Sequence, residues 1–301
     1  MIKVSAPGKV IISGEHSVVY GQPALLAALD KRCWVTIKKS NSGQLKITDK
    51  ATDDLRLVKL GVKEVCQALS VDQFQLDITL NNQVPIGSGL GSSAAMSVSL
   101  AAGICQFFNP KQLLDKALIN HLAFKIEKHQ HGNPSGGDNT ICTYGGVLKF
   151  QKKKDKFQFC RIKPEQLPDF LLVNTGQPEE STKEMVVMVN SKDNIKNIGE
   201  VTGKIIKCFK EQKFNQLKAL ITQNQRLLEK LGVVGQKAQK LIQLIELEDG
   251  AAKICGAGGV KRGSGFALAY SDNLQFLAER LKSKHVEFKK VNLGGVGVRV
   301  D

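Results

Sequence analysis

The seven cysteines of this 301-residue chain, at positions 33, 66, 105, 142, 160, 208 and 255, are odd in number, widely scattered and nowhere spaced C-x-x-C. Neither a disulfide framework nor a zinc centre is expected from them, and a reducing compartment is. No apolar run reaches the roughly 20 residues of a membrane helix. The nearest approach, Ala94 to Phe108, is interrupted by serines, Gly103 and Gln106. The segment Met1–Lys9 has no apolar core of a secretion signal, so a cytoplasmic place of action and no membrane partner are expected. Aromatics are scarce, at 6%, with no aromatic-rich recognition stretch, which removes base stacking and hence nucleic acid as an expected partner. Acidic residues are outnumbered 28 to 43, giving a formal charge of +15. That balance favours anionic partners of any kind, from nucleotides and acidic metabolites to nucleic acid or an anionic membrane surface, and is more often simply a lysine-rich solvated surface. The lysine cluster at 152–156, between the alternating runs 147–151 and 157–162, reads only as a hairpin turn in water.

The pattern of what is present predicts an α+β chain without repeats. Short strands are expected at 2–5 and 10–13 around a turn at Ala6–Lys9, then at 33–39, 45–48 and 74–80. A helix is predicted over 53–69 with Leu57, Leu60, Val65 and Leu69 on one face, and others over 94–107 and 111–129. The second half predicts a strand at 170–174, helices at 182–190, 197–210, 213–230 and 236–248, and strands at 264–270 and 295–300. A boundary near Pro168 divides the chain into domains 1–168 and 169–301.

Glycine is concentrated where chemistry is expected. In Pro85-Ile-Gly-Ser-Gly-Leu-Gly-Ser-Ser93, Gly87, Gly89 and Gly91 alternate with other residues between a strand and a helix. Such glycines let backbone N–H groups approach a phosphate, and the helix start adds free N–H groups and a positive dipole end. Ser92 and Ser93 add hydroxyls, one of which suits Mg²⁺. The loop is not a Walker A loop, having Ser92 and no lysine after Gly91, and its G-x-G-x-G spacing is not a dinucleotide fingerprint. Protein-kinase signatures are absent. Glu127 near a helix end and Asp138 beyond the Gly132–Gly137 turn form a pair in which one carboxylate suits a metal and the other a hydroxyl. His129 and His131 lack a third ligand and are not expected to hold a metal. A third glycine stretch, Gly256 to Gly265, precedes a strand, and Lys9 after Pro7-Gly8 is a candidate fixed cation.

Taken together, Ala6-Pro-Gly-Lys9…Gly14-Glu-His16…Val19-Tyr-Gly21, Pro85…Ala95, His131-Gly-Asn-Pro-Ser-Gly-Gly-Asp138-Asn139, Lys253…Gly256-Ala-Gly-Gly259 and Gly294…Arg299 resemble, in order and across nearly the whole chain, the motifs of the GHMP kinase superfamily. The likeness is strongest to the branch acting on mevalonate, with kinases of phosphomevalonate, homoserine or sugars, and a non-catalytic ligand- or nucleic-acid-binding relative, as alternatives. The resemblance implies a two-domain fold: an N-terminal domain like domain 2 of ribosomal protein S5 and a ferredoxin-like C-terminal domain, with the site between them. It implies ATP and Mg²⁺ as cofactors and mevalonate as the small-molecule partner, with a homodimer left open. Matched position by position, it places Pro85, Gly87, Ser88, Gly89, Leu90, Gly91, Ser92, Ser93 and Ala94 on ATP, and Ser93 and Glu127 on Mg²⁺. Asp138 and Lys9 fall at the catalytic positions. Glu15, His16, Thr182, Gly256, Ala257 and Gly258 fall on the substrate side. One departure is Val260-Lys261-Arg262, which interrupts the glycine run usual in the third motif.

Overall fold

The computed structural model describes residues 1–73, 76–153, 156–189 and 191–301. Along the chain come β1 (Ile2–Ser13), a single 3₁₀ turn (Ser17–Tyr20), β2 (Pro23–Lys39), β3 (Lys46–Asp49), α1 (Arg56–Leu69) and β4 (Leu76–Asn82). They are followed by α2 (Ser92–Phe108), α3 (Lys116–His131), α4 (Gly137–Tyr144), β5 (Val147–Lys153) and β6 (Lys156–Ile162). The second half holds β7 (Phe170–Asn174), α5 (Thr182–Met188), α6 (Lys192–Glu211), α7 (Leu217–Lys230), α8 (Gln236–Leu247) and β8 (Ala251–Ile254). Last come β9 (Phe266–Tyr270), α9 (Leu274–Ser283), β10 (Phe288–Val291) and β11 (Arg299–Val300).

Two sheets organise these elements. The larger runs β11-β1-β2-β4-β3, and the long β2 also pairs through Pro23–Ala27 with β5, which continues to β6. Helices α1, α2 and α3 pack together over it, with α2 against β1 and β2. The alanines and serines of α2 are buried nearly all round, from Ala94 to Ile104. Small side chains there allow close approach from every side, which is why this helix shows no polar face. The smaller sheet runs β10-β7-β9-β8 with every neighbour antiparallel. In chain order that is 4-1-3-2, the ferredoxin-like arrangement, with α5–α8 inserted between its first two strands. The chain then returns: β11 pairs with β1, and Leu29 bridges Leu293. The last residues of the expected 169–301 unit thus lie on the first sheet.

Several elements differ from expectation for physical reasons. Residues 2–13 form one strand rather than two around a turn, because Pro7 and Gly8 are absorbed in a register shift between Pro7 and Lys9. Pro7 gives up a donor, and a bulge is where a strand tolerates that. On α1 the buried face is Val58, Gly61, Val62, Val65 and Cys66, while Leu60 is exposed. Helix α3 begins at Lys116 rather than 111, set by Asp115, whose carboxylate accepts from the N–H groups of Ala117 and Leu118. The strand expected over 295–300 is only Arg299–Val300. Helices α4 and α9 and strands β8 and β10 were not foreseen. The start of the strand expected at 74–80, the tip of the lysine turn and the end of the helix expected over 182–190 fall partly outside the described residues. Among the described residues no helix is long and apolar enough to cross a membrane.

Candidate active site

Lys9 sits at the β1 register shift, and its amide donates to Leu90 O at 2.8 Å, tying the strand to the glycine loop. Its stem then runs across Gly91, where a Cβ would lie 2.6 Å from Lys9 Cγ. Gly91 has φ of +77° and is the N-cap of α2 without a side-chain cap. Glycine is required at this point twice over, for the left-handed backbone and for the passing lysine. The buried Lys9 ends with Nζ 3.2 Å from Oδ2 of Asp138, a half-exposed carboxylate in the first turn of α4. That helix is fixed to α3 by Asn139 Nδ2, which donates to Asn120 Oδ1 at 2.6 Å.

Ser93, in the first turn of α2, donates through Oγ to Glu127 Oε1 at 2.5 Å, and Ser97 donates to the same oxygen at 2.9 Å. His131, one turn after Glu127 on α3, places Nε2 3.5 Å from Oε2. Burial pushes the Glu127 carboxyl up, opposed by His131 and by the two serine hydroxyls, while the charge of Asp138 pushes it further up. A desolvated carboxylate beside a hydroxyl and a second carboxylate is an arrangement that a cation would stabilise. Ser92, by contrast, accepts at Oγ from Asn82 Nδ2 at 2.9 Å.

The other glycine loop meets the first directly. A Cβ on Gly89 would lie 2.6 Å from Cys255 O, one on Gly265 would lie 2.8 Å from Ser88 O, and the amide of Phe266 donates to Ser88 O at 3.3 Å. Ser88 Oγ donates to Pro85 O at 2.6 Å and accepts from the amide of Leu90. Over this junction lies the segment after β7, whose Gln177 amide would sit 2.8 Å from a Cβ on Gly87.

The departure at Val260–Arg262 is held by two carboxylates of that segment. Glu180 Oε1 accepts from the amides of Val260 and Lys261 at 3.3 and 3.1 Å, and Glu179 pairs with Arg262 Nε at 2.5 Å.

Glu15 and His16 follow β1 and are buried. Lys253, on β8 and fully buried, donates to Glu15 Oε1. His16 Nε2 lies 3.0 Å from Ala257 O in the third glycine stretch, between Gly256 and Gly258. Burial pushes the His16 imidazole down to about 4. Glu15 Oε2 and His16 Nδ1 are both buried without a hydrogen-bond partner among the described residues. Two polar atoms left in this state beside the Lys9–Asp138 pair are where a ligand's own polar groups would be accommodated. Thr182 is placed differently: it lies exposed in the first turn of α5, and among the described residues it makes no hydrogen bond to this cluster.

Two contributors to the site, and one buried tie just before Glu15 in the chain, carried no role in the sequence reading. Ser97 is signalled only by its i+4 spacing from Ser93. Lys253 stood within the third motif without a partner. Asn224, buried on α7, accepts from Ser13 Oγ at 3.1 Å and leaves its Nδ2 unpaired, a contact across 211 positions that no local pattern reveals.

For Mg²⁺ the residues fit. Ser93 Oγ and Glu127 Oε1 are converging hard oxygen donors, and Mg²⁺ is ordinarily held by one or two protein oxygens with phosphates and water completing the shell. Among the described residues no group of three or more His, Cys, Asp or Glu forms a self-sufficient metal cage.

Comparison with known proteins agrees with this geometry. Residues 56–146 match the family GHMP kinases N terminal domain. A mevalonate kinase from Pyrococcus horikoshii is 32% identical, the match covering 89% of this chain and 88% of that protein. The L. major mevalonate kinase solved in complex with R-mevalonate superposes with a TM-score of 0.81 at 25% identity, covering 98% of this chain and 96% of that one. The Streptococcus pneumoniae phosphomevalonate kinase superposes equally well, at 0.82, but is only 18% identical over 97% of this chain and 99% of that one. The fold is therefore shared with both kinases, and the sequence is nearer to the mevalonate kinases. With one glycine loop at the start of a buried helix, a lysine–aspartate pair beside it, and this level of identity over nearly nine-tenths of its length, the chain belongs to the GHMP kinases, in the mevalonate kinase family.

Proposed function

We propose that the chain transfers the γ-phosphoryl group of ATP to the primary 5-hydroxyl of mevalonate. The observation that carries the transfer reading is the Lys9–Asp138 pair, 3.2 Å apart beside the N-terminal end of α2. The choice of mevalonate follows the relatives of that name. Phosphoryl transfer needs positioning and neutralisation of charge more than covalent chemistry from the protein. In this reading the backbone of residues 87–94 holds the nucleotide phosphates. Ser93 and Glu127 hold Mg²⁺, which when bound supplies charge neutralisation on the transferred phosphoryl. Lys9, fixed by its buried stem, neutralises charge developing on the same oxygens. Asp138 orients the substrate hydroxyl and takes its proton at the carboxylate. Glu15, His16 and residues 256–258 face the rest of the substrate. Thr182 reaches the site only if the segment 176–182 moves inward, since its present position is exposed.

The division into units 1–168 and 169–301, with the terminal strand returned to the first, and a cytoplasmic place of action belong to the same proposal. The latter is supported by seven free cysteines. The test is ADP release from ATP and Mg²⁺ with mevalonate, phosphomevalonate, homoserine and galactose offered separately. Release with mevalonate alone supports the reading. Release with another member keeps the mechanism and replaces the substrate, and release with none overturns the function.

A further inference from the structure

The ammonium of Lys253 is saturated. It donates to Glu15 Oε1, to Ile11 O at 3.2 Å and to Ile254 O at 2.7 Å, and its side chain has 0% exposure. Lys253 and Ile254 belong to β8 of the smaller sheet, and Ile11 and Glu15 to β1 and the turn after it. The charge is thus a fixed strut between the two sheets, spent entirely on one oxygen of Glu15 and two carbonyls. The other oxygen, Glu15 Oε2, is buried and unpartnered.

We propose that Lys253 is a positioning residue for substrate recognition: by occupying Glu15 Oε1 it presents Glu15 Oε2 as a hydrogen-bond acceptor for the 3-hydroxyl of mevalonate. The inference rests on the function proposed above. Mevalonate offers few donors. Its carboxylate is repelled by Glu15, and its 5-hydroxyl is taken by Asp138. The tertiary 3-hydroxyl is what remains to donate. A buried carboxylate with no cation would take up a proton and turn from acceptor into donor. Lys253 opposes this: burial pushes the Glu15 carboxyl up, and Lys253 pulls it back through its charge and its hydrogen bond. The other charged or titratable groups around Glu15 are Lys9 on β1, His16 beside it in the chain, and Cys255 just after β8.

The test compares kcat/KM for mevalonate with kcat/KM for 5-hydroxy-3-methylpentanoate, which lacks the 3-hydroxyl, in wild type, Lys253→Met, Glu15→Gln and the double variant. A site built to bond a hydroxyl rejects the analogue lacking it, here by roughly 100-fold or more in wild type. In Lys253→Met the ratio is expected to collapse to about tenfold or less, with KM for ATP within about twofold, and to recover as pH is raised and Glu15 ionises again. Adding Lys253→Met to Glu15→Gln is expected to leave the ratio where Glu15→Gln alone put it, because coupled residues do not add. A Lys253→Met ratio equal to wild type, or a further fall in the double variant, overturns the inference. If Lys253→Met does not fold, the comparison of the double variant with Glu15→Gln decides alone. Wild type silent with mevalonate overturns the function itself, whereas an active wild type with an undisturbed ratio overturns only the role of Lys253.

Discussion

The two sides of the candidate site, the one proposed for phosphate and the one proposed for substrate, are built on opposite plans. On the phosphate side, Gly87 to Ser93 is a single stretch of chain. Its glycines have φ of +69°, +78° and +77°, its helix offers backbone N–H groups, and its carboxylate, Glu127, comes from the neighbouring helix α3. On the substrate side, Glu15 meets Lys253 across 238 positions and His16 meets Ala257 across 241. On the reading proposed above, one side would recognise an anion with backbone geometry that many sequences provide. The other uses buried, charged side chains that must be paired to be tolerated at all. The first explains why the fold is shared between kinases of different substrates. The second is where substrate identity is expected to be written.

The comparison is sharpest where the two sides meet, at Asp138. Asp138→Asn retains the shape and removes the proposed base, so turnover is expected to fall roughly 10³-fold, within the usual range for a positioned general base. Nucleotide affinity, measured by titration without mevalonate, should stay within about twofold. Turnover near wild type would remove Asp138 from the chemistry and leave the lysine pair a structural one. Next in size, Glu127→Gln acts on the phosphate side alone. The Mg²⁺ concentration for half-maximal ADP release is expected to rise roughly 10- to 100-fold, with KM for mevalonate nearly unchanged. If mevalonate KM moved instead, the separation of the two sides would be broken.

The same contrast governs what could be read from the chain. The form of residues 87–93, a glycine turn leading into a helix, was legible because it is local: glycine spacing, a following small-residue helix and serines at its start are all contiguous. The hairpin at 147–162 and the strand at 170–174 were legible for the same reason, being set by alternation and turns. Helix α4 was not. Its eight residues, Gly137 to Tyr144, follow a Gly/Pro-rich turn and are stabilised by tertiary ties such as Asn139 to Asn120. The buried face of α1 was legible in part: Val65 is buried and Leu57 and Leu69 pack at its edge, but Leu60 is exposed, and the core takes the slimmer Val58, Gly61 and Val62 against α2 and α3. A Cβ on Gly61 would lie 2.9 Å from Leu100. The motif resemblance supplied Glu15 and His16 as residues, but not the ion pair with Lys253, which exists only after both sheets have folded.

The substrate side also makes a prediction about acid. The folded chain holds His16 with its imidazole pushed down to about 4 from an ordinary 6.5. The unfolded chain takes up a proton below pH 6.5 and the folded chain does not. This contribution to stability is therefore complete above pH 6.5 and is lost as pH falls toward 4. Between pH 7 and pH 5 it amounts to about 2 kcal/mol. Glu15 shifts the other way and gains stability on acidification, so the wild-type slope mixes the two. His16→Gln isolates the histidine: in urea titrations at pH 7 and pH 5 its loss on acidification should be smaller than wild type's by about that amount. An equal loss would mean that His16 is solvated in solution.

The smallest effect tests the turn at Val260–Arg262, held by the segment after β7. Glu180 accepts two backbone amides of the inserted turn, while Glu179 pairs with the exposed Arg262. Captured N–H groups bonded to a charged acceptor are worth more than an exposed ion pair, which pays side-chain entropy and is screened. Glu180→Gln keeps the acceptor and removes its charge, so about 1 kcal/mol of stability should be lost, with faster amide exchange at 259–262 and turnover within about twofold of wild type. Arg262→Ala should cost less than half of that. Equal losses would mean that charge attraction across the turn, and not capture of its amides, holds the insertion down. The basic residues of the turn would then help to hold it and not merely be carried by it.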